Sequence, residues 1–116
     1  MQEPSAGPRP DWSPVPRPGC VNVEGKVLLA REGLVLAMLK FDAGGTIDEH
    51  AAPHEIDVVC LDGEGYISIE DRVWAFRSGL TLTWPRGRVH RLWTADRAMV
   101  TLMVERPGGS ASPAAG

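Results

Sequence analysis

At 116 residues and 43% hydrophobic content, the chain has the size and make-up of one soluble domain with a packed core, and no room for a second. Its net charge of −3 and scattered basic residues exclude the concentrated basic face that a nucleic-acid binder needs. No apolar run is long enough for a membrane-spanning helix. Met1 to Gly19 lacks the apolar centre of a secretory signal, so cytoplasmic residence is expected. The basic residues are Arg apart from Lys26 and Lys40, and Ala, Gly and Pro are frequent, a bacterial-like bias and not a binding signal. Cys20 and Cys60 have no metal or redox spacing and are expected to be free thiols.

In chain order, residues 1–19 hold six of the ten prolines. Each proline removes a backbone donor, so this stretch is expected to be an extended or disordered arm, outside any sheet interior. The folded unit is expected over residues 20–106. Val21 to Ala30 and Leu34 to Phe41 read as strands joined by a hairpin at Arg31-Glu32-Gly33. Gly44-Gly45 should break the next connection. Ile56 to Leu61 is a further strand, ended by an expected turn at Asp62-Gly63-Glu64-Gly65. Tyr66 to Glu70 alternates as a half-buried strand should. Strands at Val73 to Phe76, Leu80 to Trp84, Val89 to Trp93 and Met99 to Glu105 complete the pattern. Residues 107–116, rich in Gly, Ser, Ala and Pro, read as a flexible tail. No stretch has a helical period, so the expectation is an all-β sandwich or barrel.

The three histidines, His50, His54 and His90, fall next to turns on strands that a barrel can bring together. Three neutral imidazoles around one cavity would suit a divalent metal; a lone imidazole could instead act as a general acid or base. His50 and His54 are four residues apart, about 13 Å in a fully extended strand, so a shared ion needs a turn or bulge at Ala51-Ala52-Pro53. Asp57 could then add an oxygen ligand. The plainer alternatives are a loop-exposed His54, a solvated Asp57 and a core His90. Trp84, Trp93 and Met38 are the candidates to line a ligand pocket, with ordinary core packing as the alternative for each.

The segment from Gly45 through His50, His54 and Asp57 to Gly63 and Gly65 resembles the first motif of the cupins, a glycine turn, His-x-His, an acidic residue and a closing glycine. Gly79 to His90, with Pro85 and Gly87 between, resembles the second, with Thr94 where an Asn is usual. The resemblance implies an antiparallel double-stranded β-barrel of jelly-roll type. It also implies a metal site in which His50 and His90 match ligand positions. Ala52 stands at the second His position, and the acidic position falls on Ile56, or on Asp57 at the longer spacing. The implied cofactor is a divalent ion, Zn, Fe, Ni, Mn or Cu; with Ala52 at the second His position, the substitute site expected to hold it is His50, His54 and His90, with or without Asp57.

Two functions follow from the resemblance. One is a metal-dependent enzyme acting on a small metabolite, of dioxygenase, isomerase or cyclase type. The other is a metal-free ligand-binding or sensor barrel, which the broken first motif favours. Either way the partner is a small-molecule ligand, with no nucleic acid or membrane. Open sheet edges and the arm, with Trp12, lead us to expect a homodimer.

Overall fold

The computed structural model describes residues 3–108, so the tail expected over 107–116 lies, from residue 109 onward, outside the described residues. The described residues form eight strands: β1 (Arg9–Pro14), β2 (Cys20–Arg31), β3 (Leu34–Ala51), β4 (Glu55–Ile69), β5 (Arg72–Arg77), β6 (Thr81–Trp84), β7 (Val89–Trp93) and β8 (Met99–Arg106). Every pairing is antiparallel. Among the described residues no helix is long and apolar enough to cross a membrane.

Two long strands organise the fold. The first part of β3 pairs with β8 and its last part with β7, while β2 runs along its other edge. The first part of β4 pairs with β8 and β6, and its second part with β7 and β5. Both strands therefore pass from one layer to the other, and the layers close over a shared core. Phe41, Val58, Ile67, Leu92 and Met99 are sealed from solvent inside it. This is the all-β, antiparallel cupin-type barrel that the motif pair implies.

The expected breaks at Gly44-Gly45 and Asp62 to Gly65 lie inside strands instead. β3 continues through Gly44, which takes a φ of 70°. Thr94, one residue past the end of the neighbouring β7, fastens this point: its hydroxyl accepts from the Gly45 amide at 2.9 Å, and its own amide donates to the Gly45 carbonyl at 2.8 Å. In β4 the pairing with β8 slips between Cys60 and Asp62, so Leu61 is an extra residue. A one-residue slip exchanges the faces of a strand. Ile56, Val58 and Cys60 point inward before the slip, and Gly65 and Ile67 after it. Glycine signals here mark bends, and the backbone ladder carries on past them.

The arm is not free of the sheet. Arg9 pairs with Val27, and Ser13 and Pro14 with Gly25 and Glu24, making β1 an edge strand on β2. An edge position suits Pro10 and Pro14, which have no amide to give a further strand. Trp12 lies beneath the ammonium groups of Lys26 and Lys40, 4.5 and 4.7 Å from its ring. Cys20 and Cys60 are both free thiols.

The bend at Gly63 yields a stability prediction. Its φ is 77°, and a Cβ there would collide with the Ala98 carbonyl oxygen. Gly79 has a φ of 94° but open space around it. Chemical denaturation should therefore show Gly63→Ala costing at least about 3 kcal/mol, and Gly79→Ala only about 1 kcal/mol from backbone strain.

Candidate functional site

A cavity of about 300 Å³ opens between the end of β3, the start of β4 and β7. Its polar wall is made by His50 and His90, whose strands pair them directly across from each other. Side chains of a strand alternate between faces. Ile47 is buried opposite Leu92, so regular pairing would next turn Glu49 inward, toward His90. The pairing instead slips between Ile47 and His50. The extra residue brings His50 to the inner face. Ring centroids of His50 and His90 then lie 4.5 Å apart, with their Nε2 atoms at 3.3 Å.

The hydrogen bonds of His50 assign its proton. His50 Nδ1 lies 2.9 Å from the Asp48 carbonyl and donates to it, which leaves Nε2 as an acceptor. That nitrogen accepts from the guanidinium of Arg17 and lies 3.3 Å from Nε2 of His90. His90 Nδ1 is buried with no hydrogen-bond partner of ordinary geometry. The His90 ring lies flat on Trp84, centroids 3.7 Å apart and planes 8° from parallel, and Trp84 is anchored by its indole donating to the Ser68 carbonyl at 3.1 Å. Burial pushes the His90 pKa down to about 4; the neighbouring His50 and the Arg17 charge add to the shift, and the Arg88 backbone offsets a part of it without closing a hydrogen bond of ordinary geometry to Nδ1. His90 is a neutral imidazole at neutral pH.

The other candidates separate. His54 lines the same cavity, but its Nε2 is 2.9 Å from a carboxylate oxygen of Glu105. Asp57 is not brought to the histidines. It follows Ile56, which points inward, so it faces outward, 2.8 Å from the Arg106 guanidinium and accepting from Thr83 at 2.6 Å. Of the expected pocket residues, Trp84 lines the cavity. Trp93 does not: with His90 and Leu92 turned in, it faces out, stacked on Tyr66 at 5.7 Å and under Arg91 at 4.4 Å. Met38 faces a neighbouring groove beneath the arm.

Arg17, which sequence reasoning missed, belongs to the arm. Pro16 and Pro18 restrict the backbone on both sides of it, a local signal that was present. Nothing local says that it reaches His50.

These residues do not fit the metal site that the motif resemblance implies. Ala52 and Ile56, at the second His and acidic positions, both line the cavity and offer it only carbon. The Nε2 of His50 is engaged by a cation, and His54 by a carboxylate. Among the described residues no three His, Cys, Asp or Glu side chains are grouped to hold an ion.

No protein-family model and no curated protein matches the chain. Solved structures do. The polyketide cyclase RemF of Streptomyces resistomycificus is similar at 20% identity and a TM-score of 0.79, over 92% of this chain and 82% of that one. A cupin-2 domain protein of Rhodospirillum rubrum is similar at 20% identity and a TM-score of 0.76, over 92% and 76%. KdgF of a Halomonas species is similar at 18% identity and a TM-score of 0.73, over 87% and 91%.

The depressed His90 pKa predicts acid sensitivity. Between pH 4 and 6.5 the unfolded chain binds the proton that folded His90 refuses. Stability is thus complete above about pH 6.5 and is lost as pH falls toward 4. Urea midpoints across this range should fall less steeply for His90→Gln than for the wild type; equal slopes would assign the effect to carboxylates.

Proposed function

The chain carries the cupin fold, and from that premise we propose that it is a small-molecule-binding barrel that recognises its ligand through its own side chains, without a metal. The observation that carries this reading is the engagement of His50 Nε2 by Arg17. A metal would need that lone pair and would lie against a guanidinium. The apolar wall of Leu39, Ile56, Trp84 and Met103 beside a few convergent polar groups is the usual make-up of a ligand pocket.

A catalytic reading is favoured by one observation, the neutral His90 set against His50 at the cavity wall. Adjacent imidazoles can accept and return a proton, as cyclisation or isomerisation of a small metabolite requires. A metal-dependent oxygenase, isomerase or cyclase would need donors where Ala52 and Ile56 stand.

Elemental analysis with thermal melting tests the proposal. Purified protein should carry well under one equivalent of Zn, Fe, Ni, Mn or Cu, and its melting temperature should not change with EDTA. One equivalent of metal, lost in His50→Ala, would overturn the reading.

A further inference from the structure

We propose that the cavity is selective for small monocarboxylates, with Arg17 as the group that receives the carboxylate and Glu105 as the group that rejects a second negative charge. The inference rests on the ligand-binding reading above and names its ligand class.

Arg17 lines the cavity and, among the described residues, forms no ion pair. The Asp48 carboxylate packs against Gly19, where an added Cβ would meet its atoms, and among the described residues it makes no ion pair with Arg17. One Arg17 nitrogen donates to His50, and a guanidinium has five N–H donors in a planar fork, so enough remain for a carboxylate. Holding Arg17 to His50 also aims it: the imidazole fixes one side of the fork, and the prolines on either side limit the backbone.

Glu105 lines the same cavity, with one oxygen taken by His54. A dianion would bring its second charge into a space of about 300 Å³ that already holds a carboxylate. At roughly 30 Å³ for each water-sized unit, that space takes about ten non-hydrogen atoms. Val15, Leu39, Ile56, Trp84 and Met103 make the remaining wall apolar. The ligand that fits is a compact apolar body with one carboxylate.

Benzoate, its neutral isostere benzamide and the dianion terephthalate discriminate the terms, titrated into the isotope-labelled full chain and followed by NMR. Benzoate should shift the Trp84 indole and His90 amide signals and bind at least about tenfold more tightly than benzamide. Arg17→Gln should weaken benzoate about tenfold and leave benzamide unchanged, with Arg17→Lys intermediate. Glu105→Gln should narrow the gap between terephthalate and benzoate. Equal binding of benzoate and benzamide at Trp84, or equal weakening of both by Arg17→Gln, overturns the anion assignment and leaves the cavity reading standing. No shift at Trp84 or His90 with any probe overturns both.

Discussion

The slip in pairing between Ile47 and His50 is the constraint on which the site depends. A strand shows alternate residues to alternate faces, so one extra residue decides which side chain meets His90. With regular pairing it would be Glu49; with the slip it is His50. The same bulge supplies the Asp48 carbonyl that takes the Nδ1 proton of His50 and so sets its tautomer. β4 uses the same device at Leu61, where it passes from one layer to the other. In both long strands a local irregularity in the ladder keeps the inner face continuous or redirects it.

The arrangement around His90 is costly. A buried nitrogen without a partner costs about 1–3 kcal/mol, and His90 Nδ1 is one. Trp84 shields one face of the ring and His50 meets its edge, so burial is nearly complete and the imidazole stays neutral. A core selected for stability alone would place an apolar side chain there. The polar wall of an otherwise apolar cavity is a reason to keep the imidazole.

The arm turns a short barrel into a site. β1 adds to the edge of β2, the chain crosses Val15 to Pro18, and Arg17 arrives at His50 from outside the two motif segments. Its positive charge stands where the resemblance led us to expect a metal ion. Both supply positive charge beside the same imidazole, but a guanidinium gives directed hydrogen bonds in place of open coordination positions. The apolar Ala52 and Ile56 are consistent with that exchange.

The strands, the hairpin at Arg31 to Gly33 and the two motifs around His50 and His90 were legible in the sequence, because alternation and turn residues are local properties. So was the meeting of His50 and His90, through the spacing of the motifs. The glycines were legible as irregularities, but whether they end a strand or bend it depends on the partner across from them, as Thr94 shows at Gly45. Asp57 was a candidate ligand on spacing, yet its neighbour Ile56 points inward, and Arg106, nearly fifty residues away, holds the carboxylate outside. His54 reaches the cavity and is claimed there by Glu105. Trp93 and Met38 lost the pocket for the same reason as Asp57, the face on which the strand register set them. By itself the sequence determined a helix-free, all-β chain, and its motif resemblance singled out the barrel and the pair His50 and His90. The tertiary structure alone decided the register that turns His50 inward, the fate of Asp57 and His54, and the arrival of Arg17, because each depends on pairing and charge contacts between segments far apart in the chain.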